Sequence, residues 1–373
     1  MSHGLPACPD EPTFRVDWVA LDAEHTWVRA MRGCAQNPVH HAEGDVWIHT
    51  RMVCDAMAEL PAWRALPARE REITFAGALL HDVAKPECTR VDADGVITSR
   101  GHSARGAIRA RQLLWRTGAD FGAREAVTSL IRAHQLPFFL IERPDRVRSA
   151  LATSQTVRCD WLALVAEADA RGRRCADLQR LLDNIELFRM HCDEQRCLRV
   201  PRAFPSAHAR FVYFRREDRD PDYLPHESFR CEVVLMSGLP GTGKDHWVET
   251  NLPDWPVVSL DELRAELEID PSESQGPIIA RAREDARAHL RARRSFVWNA
   301  TNLSREIRSR VISLCADYDA RVKIVYVEVP EERLRRQNRE RERPVPDAVV
   351  DRLLDRWEVP DLTEAHDVQY VAG

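Results

Sequence analysis

Apolar positions in the first 200 residues recur at the spacing of an amphipathic helix, and strand-like alternation is almost absent. The periodic stretches are residues 47–60, 72–80, 103–115, 123–131, 161–168 and 178–188. Pro86, Pro137 and Pro144 fall at the ends of such stretches, where proline interrupts a helix. The pattern predicts an all-α helical domain over residues 1–200.

Residues 201–230 have a different character, with four prolines, many charges and little periodicity. This composition is typical of a connection between domains. We interpret residues 201–230 as a linker that packs on one of the two domains through Phe211, Tyr213 and Phe214.

From residue 231 the pattern changes to short apolar strands that alternate with amphipathic helices. Strands are predicted at 233–236, 257–259, 295–299, 322–329 and 368–371, and helices at 244–251, 278–293, 304–318 and 331–339. Alternation of this kind predicts a parallel sheet with right-handed crossovers. Residues 231–373 are therefore expected to form an α/β domain, which makes the chain multidomain.

Composition limits the classes of function that remain. A net charge of −5 over 373 residues gives no global basic field, so any nucleic-acid contact depends on local arginine clusters. The ten cysteines include no C-x-x-C, and the closest pair is Cys192 and Cys197, a pattern that suits reduced thiols better than zinc or disulfides. With no signal-like N-terminus and no run of transmembrane length, we expect a soluble cytoplasmic protein with no membrane partner.

The strand at 233–236 runs directly into SGLPGTGK, which fits the phosphate-binding pattern G-x-x-x-x-G-K. Glycines let the backbone approach a polyphosphate, and the lysine reaches its β- and γ-phosphates. Residue 245 is Asp where Ser or Thr usually holds Mg²⁺, but a carboxylate also binds Mg²⁺. The candidate nucleotide-binding residues are Gly238, Pro240, Gly241, Thr242, Gly243, Lys244 and Asp245.

Histidines and aspartates lie at or near the ends of the predicted helices of the first domain, where a bundle can bring side chains together. The candidates are His49, His81, Asp82, His102, His134 and Asp169. Mixed imidazole and carboxylate ligands suit Mn, Fe, Co, Ni or Zn rather than Mg. Six ligands with a bridging Asp82 are enough for two divalent ions, and such a pair makes a nucleophile from water and clamps phosphoryl oxygens.

The set H…HD…H…H…D, with NPVHHAEGDVWIHT, LLHDVAKP and RGHSARGA, resembles the HD-domain phosphohydrolase superfamily over roughly residues 35–175. The resemblance implies that His49, His81, Asp82 and Asp169 are shared metal ligands and that His102 and His134 complete a dinuclear site. Asp82 would then be catalytic, and Lys85 would contact a substrate phosphate. His40, His41, Glu43 and Asp45 are expected to line the pocket rather than to bind metal.

Further motifs follow the phosphate-binding loop. VVSLDELR places Asp261 just past a strand end, where a carboxylate can act as general base, with Arg264 one helical turn away. A later strand ends in NATN at residues 299–302, and RLRRQNRERERPVP follows a helix start. Arginines over a transferring phosphoryl group stabilise its charge.

These motifs in this order resemble the 5′-OH polynucleotide kinase family of P-loop phosphotransferases over residues 231–366. The resemblance implies that Lys244 and Asp261 are catalytic and that Arg264 and Arg308 contact the acceptor. Arg336, Arg339 and Arg343 are the lid candidates, with Arg339 counted as catalytic. Asp245 and Asn299 are departures, because the family has Ser or Thr and usually Asp at these positions.

The combination resembles bacterial RNA end-healing enzymes of the HD–polynucleotide kinase type. The resemblance implies removal of 2′,3′-cyclic and 2′- or 3′-phosphates at an RNA 3′ end and transfer of phosphate from ATP or another NTP, with Mg²⁺, to a 5′-OH. The products are ends that a separate RNA ligase can join.

Two other classes of function remain open from the residues alone. One is a nucleotide phosphohydrolase fused to a nucleoside or small-molecule kinase. Replacing Arg264 or Arg308 by Ala would distinguish it from the end-healing enzyme, in which activity on oligonucleotides should fall far more than activity on nucleosides. The other is a non-enzymatic nucleotide sensor, which Asp245 would favour.

Overall fold

A computed structural model of the chain describes residues 4–269, 273–341 and 344–373. The chain divides into two compact units, Met1–Arg202 and Ala203–Gly373. The first is helical and the second is built on a parallel sheet, so the predicted order of a helical region followed by an α/β region is confirmed.

The described part of the first unit consists of helices and one small antiparallel hairpin. The helices are α1 Trp18–Glu24, α2 Val28–Met31, α3 Val46–Glu59, α4 Pro61–Arg64, α5 Ala68–Leu80, α6 Lys85–Cys88, α7 His102–Arg116, α8 Phe121–Ala133, α9 Leu136–Phe139, α10 Arg146–Ser154, α11 Cys159–Arg171 and α12 Leu178–Glu194, with a 3₁₀ turn at Leu140–Glu142. The hairpin pairs β1 Arg90–Val91 with β2 Ile97–Thr98.

Helices α3, α5, α8 and α11 pack on one another and form the centre of this unit. Their starts carry local signals, since the Asp45 carboxylate accepts the Ile48 N–H at 2.8 Å at the start of α3. Gly77 allows α5 to approach α8, because a Cβ at this position would lie 2.9 Å from the Leu130 side chain. The bundle therefore brings several helix ends to one place.

The second unit alternates strands and helices. Its elements are α13 Ala207–Arg215, β3 Cys231–Ser237, α14 Lys244–Asn251, β4 Val257–Ser259, α15 Leu260–Glu266, α16 Gly276–Arg291, β5 Phe296–Asn299, α17 Arg305–Ala316, β6 Ala320–Glu328, α18 Glu331–Glu340, α19 Asp347–Leu354 and β7 Asp367–Ala372. In the described residues β3 to β7 form one sheet in the order β4-β5-β3-β6-β7, and every pair is parallel.

Strand β3 lies at the centre of the sheet, and its successive side chains serve two cores. Val233 and Leu235 pack in a cluster with residues of α16 and α17, whereas Val234 and Met236 pack in a second cluster with Val248 of α14. Because neighbouring side chains of a strand point to opposite faces, an almost unbroken apolar run is what a strand covered on both faces requires.

The stretch that we interpreted as a linker contains helix α13. The Ser206 hydroxyl accepts the Ala209 N–H at 3.1 Å and caps this helix, and Phe211 belongs to the core beneath the sheet. Residues 203–230 thus form part of the second unit, and the boundary between the two units in the sequence follows residue 202.

Among the residues that the structure describes, no helix has both the length and the apolar character that a membrane crossing needs.

Candidate functional site

Six candidate ligands of the helical unit lie at the place where its helix ends meet. His81 and His134 directly follow α5 and α8, and His102 begins α7. His49 lies one turn into α3, and Asp169 lies near the end of α11. All six side chains are buried. Residues far apart in sequence thus form one cluster.

Asp82 is the centre of this cluster. Its Oδ2 lies 3.1 Å from His81 Nε2 and 3.8 Å from His49 Nε2, and its Oδ1 lies 3.4 Å from His102 Nε2. Two groups of three potential ligands therefore share Asp82, and within each the ligand atoms lie within 4.8 Å of one another. They are His49 with His81 and Asp82, and Asp82 with His102 and His134. Asp169 joins the first group, with its Oδ1 3.1 Å from His49 Nε2.

Backbone carbonyls fix the orientation of three of these imidazoles. The Nδ1 atoms of His81, His102 and His134 lie 2.7–2.8 Å from the carbonyl oxygens three residues earlier in the chain. A carbonyl only accepts, so Nδ1 carries a proton, and in the neutral ring Nε2 is the nitrogen whose lone pair is open to a metal ion. Metal-binding histidines are commonly held in this way.

The ring nitrogens of His49, Nε2 of His81 and the oxygens of Asp82 face one another and neighbouring charged groups without forming well-aligned hydrogen bonds. Leaving such atoms unsatisfied in an apolar interior is costly, and a cation satisfies them. The nitrogen and oxygen donors suit transition-metal ions. The residues present therefore fit a metal centre, with Asp82 as the ligand common to both groups.

Positive groups surround the carboxylates of this cluster. Lys85 Nζ lies 2.6 Å from Asp82 Oδ2 and donates to Gln36 Oε1 at 2.6 Å, while Arg173 donates to both oxygens of Asp169. Burial opposes ionisation of Asp82, but the charges of His81 and Lys85 outweigh it and hold the pKa of Asp82 well below its ordinary value. Lys85 lies beside the cluster. Its ammonium group could contact a bound phosphate after leaving Asp82.

Glu43 is a further member of the site that the sequence analysis placed only in the pocket lining. Its Oε1 lies 2.9 Å from His49 Nδ1 and 2.9 Å from His41 Nδ1, and its Oε2 accepts the Arg174 N–H at 2.8 Å. Glu43 thus holds the far side of the His49 ring. No sequence signal separates it from the neighbouring acidic residues.

The second site is the loop between β3 and α14. Its glycines have positive φ angles, 149° at Gly238, 82° at Gly241 and 89° at Gly243. A Cβ on Gly238 would lie 2.3 Å from the carbonyl oxygen of Val327, and one on Gly241 would lie 3.2 Å from atoms of α18. The loop therefore requires glycine both for its conformation and for its close packing.

Lys244 is the first residue of α14 and is folded over this loop. Its Nζ donates to the carbonyl oxygens of Gly238 at 3.0 Å and Leu239 at 2.9 Å. Burial lowers the pKa of Lys244 to about 8, although the charges of Asp245 and Asp261 oppose this effect. A polyphosphate bound in the loop would replace carbonyl contacts with charged ones.

The ends of neighbouring strands complete the loop's surroundings. Asn299, the last residue of β5, donates from Nδ2 to Asp245 Oδ1 at 2.6 Å. Asn302 is buried with φ 45° and donates to the carbonyl oxygen of Met236 at 2.7 Å. The NATN segment therefore contacts both the strand that leads into the loop and the helix that follows it.

Asp261 is exposed at the start of α15 and lies between two arginines. Arg264 donates to its Oδ1, and Arg341 NH2 lies 3.6 Å from its Oδ2. Arg264 also donates to Gln275. Arg341 was not among the sequence candidates, because its position in an arginine-rich run does not distinguish it from its neighbours.

Arg308 does not have the surroundings expected of an acceptor contact. Its guanidinium is fully buried and donates to both oxygens of Glu364 at 2.8 Å and to the carbonyl oxygens of Asn302 and Glu358. These bonds use four of the five N–H groups of the guanidinium. The acceptor role of Arg308 stays a prediction that this geometry does not favour, because the side chain stabilises the C-terminal segment.

Two of the three lid candidates lie on helix α18. Arg336 and Arg339 are exposed there, and the same helix packs against Gly241 of the loop through Leu334 and Asn338. The third candidate, Arg343, lies outside the described residues. The packing holds the arginine-rich helix next to the phosphate-binding loop.

Comparison with known proteins adds to this geometry. Residues 233–360 match the family described as an AAA domain. A multifunctional CCA protein from Halorhodospira halophila (strain DSM 244 / SL1) is 36% identical over 107 residues, which cover 29% of this chain. The match spans 23% of that protein's length. A solved structure from Chloroflexus aurantiacus J-10-fl, provisionally described as a kinase, shares 16% identity at a TM-score of 0.31 over 39% of this chain and 86% of its own.

Together, the family match and the loop geometry support a P-loop NTPase-like domain over residues 233–360. A domain of this class implies a nucleoside triphosphate bound with Mg²⁺. Gly238, Gly241, Gly243 and Lys244 are the residues around which it would bind.

Proposed function

We propose that this protein is a bifunctional RNA end-healing enzyme. Its helical unit hydrolyses the 2′,3′-cyclic phosphate and the 2′- or 3′-phosphate at an RNA 3′ end. Its P-loop unit transfers the γ-phosphate of ATP or another NTP to the 5′-OH of a polynucleotide. A separate RNA ligase would then act on the two healed ends.

The hydrolytic half of the proposal is supported by the two ligand groups that share Asp82. When bound, a pair of divalent ions supplies a nucleophile from water and neutralises phosphate oxygens. The chain itself holds the imidazoles through backbone carbonyls and keeps Asp169 ionised through Arg173. Lys85 carries a positive charge at the edge of the cluster, where it would orient a substrate phosphate.

The kinase half is supported by the arrangement of Lys244, Asp261 and the arginines near it. Asp261 would accept the proton of the attacking 5′-OH, and Arg264, one turn away, would hold the acceptor's phosphate. Lys244 and the arginines near the loop, Arg339 and Arg341, would stabilise the charge on the transferring phosphoryl group. The exposure of Asp261 leaves it accessible to the end of a large acceptor.

The observation that carries the proposal is that a cluster of potential metal ligands and a phosphate-binding loop lie in two separate units of one chain. Two independent units predict two independently removable activities. The relative described as a multifunctional protein is consistent with several activities in one chain.

The test uses an oligoribonucleotide with a 5′-OH and a 2′,3′-cyclic phosphate, incubated with the full-length protein, Mn²⁺ and ATP. We expect a product with a 5′-phosphate and a 3′-OH. Asp82→Ala should abolish phosphate removal while 5′ phosphorylation continues, and Lys244→Ala should do the reverse. Asp92→Ala, an exposed change in the hairpin, is the matched control. Equal loss of both activities in either variant would contradict separate sites.

A second candidate function is a nucleotide phosphohydrolase joined to a nucleoside or small-molecule kinase. The burial of Arg308 favours it, since only Arg264 then remains of the two expected acceptor contacts. The distinguishing variant is Arg264→Ala. A much larger loss of activity on oligonucleotides than on nucleosides supports the end-healing function, whereas equal losses favour the smaller substrate.

A further inference from the structure

Three cysteines of the helical unit lie together although they are separate in sequence. The ligand atoms of Cys159, Cys192 and Cys197 lie within 4.8 Å of one another. All three residues are completely buried. Burial of a single cysteine is ordinary, but three thiols pointing into one small volume form a set of soft ligands.

The backbone brings these cysteines together by a specific turn. After α12, Arg196 adopts a positive φ of 53°, and the Cys197 N–H donates to the carbonyl oxygen of Cys192 at 2.8 Å. This reversal, typical of a helix C-terminus, returns Cys197 to the side of Cys192. The Asp160 N–H then donates to Leu198 at 2.9 Å and joins the turn to the start of α11, where Cys159 is the first residue.

The start of helix α11 and a histidine of α12 adjoin the three cysteines in the chain. Cys159 lies in the first turn of a helix, where the helix dipole favours negative charge. His191 is itself buried, and its Nε2 has no hydrogen-bond partner among the described residues.

We propose that Cys159, Cys192 and Cys197 bind one thiophilic metal ion, zinc(II), at a structural site separate from the Asp82 cluster. Each thiol loses its proton to solvent as its sulfur–metal bond forms, and the ion's charge balances two of the three thiolates. Structural zinc sites usually have four protein ligands. His191, which precedes Cys192 in α12, would have to turn toward the cluster to supply the fourth, because its ring is not part of the group of ligand atoms within 4.8 Å. The isolated spacing of the cysteines in the sequence favoured free thiols, and the proposal revises that expectation.

Such a site would fasten the end of α12 to the start of α11. Helix α11 also carries Asp169 of the candidate metal centre, near its other end. The bound ion would therefore stabilise the helix on which part of that centre depends. The two sites differ in chemistry, since the Asp82 cluster offers only nitrogen and oxygen ligands.

The difference in ligands gives a direct test with the metal ions themselves. Full-length protein loaded with Co²⁺ should show a sulfur-to-cobalt charge-transfer band in the near ultraviolet, which the Asp82 cluster cannot produce. The Asp82→Ala variant should keep the band and, when purified with zinc, keep one zinc per chain. Introduced into the Asp82→Ala variant, Cys197→Ser should remove the zinc and most of the band, whereas Cys54→Ser, a change at a buried cysteine of α3, should remove neither.

Measurement of the wild-type protein keeps the proposal testable even if Cys197→Ser fails to fold. The absence of a charge-transfer band at saturating Co²⁺, with all thiols reduced on denaturation, would overturn the proposal. So would a disulfide between any two of these cysteines in alkylated, freshly purified protein. Release of one zinc and an accompanying fall in melting temperature on treatment of the Asp82→Ala variant with a strong chelator would support it.

Discussion

The side-chain amide of Asn299 donates to Asp245 at 2.6 Å, and so joins the end of β5 to the first turn of α14. These are the two positions at which the sequence departs from the polynucleotide kinase pattern. The family has Ser or Thr at the position of Asp245 and usually Asp at the position of Asn299. The contact explains why the departures occur together. A second carboxylate in place of Asn299 would face Asp245 without a hydrogen, whereas an amide supplies one.

The contact between Asn299 and Asp245 predicts that one single variant loses stability and that a double variant recovers it. Asn299→Asp alone should place two carboxylates in contact, raise the pKa of one of them and destabilise the P-loop unit by about 1–3 kcal/mol. The double variant Asp245→Asn/Asn299→Asp restores one donor and one carboxylate and should recover most of that stability. Urea denaturation measures the free energies, and steady-state kinetics with ATP and Mg²⁺ measures the activity.

Asp245→Asn alone is the matched comparison, because two amides can still form a hydrogen bond but leave no carboxylate. We expect it to retain stability and lose Mg²⁺-dependent activity. If the double variant is no more stable than Asn299→Asp, the two positions are not coupled and the pairing argument fails.

Strands and long helices could be predicted from the sequence because their burial produces a regular pattern. The strand predicted at 257–259 agrees with β4, and the helix predicted at 178–188 is the first part of α12. Elements of a few residues, such as α15 and the hairpin, leave too few positions for a period to appear. The NATN turn was visible as a motif, but its contact with Asp245 was not.

The site residues show the same limit. Histidines at helix ends could be singled out, since helix ends converge in a bundle. The burial of Arg308 could not be predicted, because its partner Glu364 lies 56 positions away and sequence spacing does not reveal that the two meet in the interior. The three clustered cysteines were missed for the same reason.

The low pKa of Lys244 predicts a pH dependence for nucleotide binding. Bound phosphates favour the ammonium form, so binding raises the pKa of Lys244 above its value of about 8 in the free protein. Affinity for ATP should therefore be constant below pH 8 and fall by up to about tenfold per pH unit above it. Calorimetric titration in two buffers of different ionisation enthalpy should also detect proton uptake near pH 8.

Lys244→Arg is the control for this prediction, because a guanidinium stays charged throughout the range. The variant will bind ATP more weakly overall if the loop does not accommodate the larger group, but its affinity should not change with pH near 8. The same pH slope in both proteins would assign the titration to another group.

If Asp261, which lies between two arginines, is the general base, its replacement should slow phosphate transfer without weakening ATP binding. Asp261→Asn should lower kcat for 5′ phosphorylation by about 10²- to 10⁴-fold, since the amide cannot take up the proton. The Kd for ATP should remain nearly unchanged. Rapid-quench single-turnover kinetics measures the chemical step, and fluorescence titration with an ATP analogue measures binding. Substantial residual phosphorylation would assign the proton to another acceptor.

The burial of Arg308 predicts an effect on stability rather than on the acceptor. Arg308→Ala leaves the buried Glu364 with only the more distant Arg305, at 3.9 Å, as a positive partner among the described residues, so it should lower the free energy of unfolding by up to about 3–5 kcal/mol. Arg310→Ala is a matched control on the same helix, because Arg310 is exposed and, in the described part of the chain, pairs with Glu306 alone. It should change the free energy of unfolding by less than about 1 kcal/mol. Well below its melting temperature, Arg308→Ala should keep the wild-type KM for oligonucleotides. A raised KM with unchanged stability would restore the acceptor role.

The contact between Glu43 and His49 predicts that metal affinity depends on a residue beside a candidate ligand. It lies 2.9 Å from the Nδ1 of His49, so it would orient that ring and make its Nε2 more basic. Glu43→Gln should weaken metal affinity by about 10- to 100-fold, since loss of such a partner usually has an effect of this size. Equilibrium titration with Mn²⁺ or Zn²⁺ in a competing chelator measures the affinity. Glu59→Gln, an exposed change at the end of α3, the helix that carries His49, is the control and should have no effect. Because excess metal compensates for weaker binding, high Mn²⁺ should rescue phosphate removal by Glu43→Gln but not by Asp82→Ala. An activity that no metal concentration restores would place Glu43 in the chemistry itself.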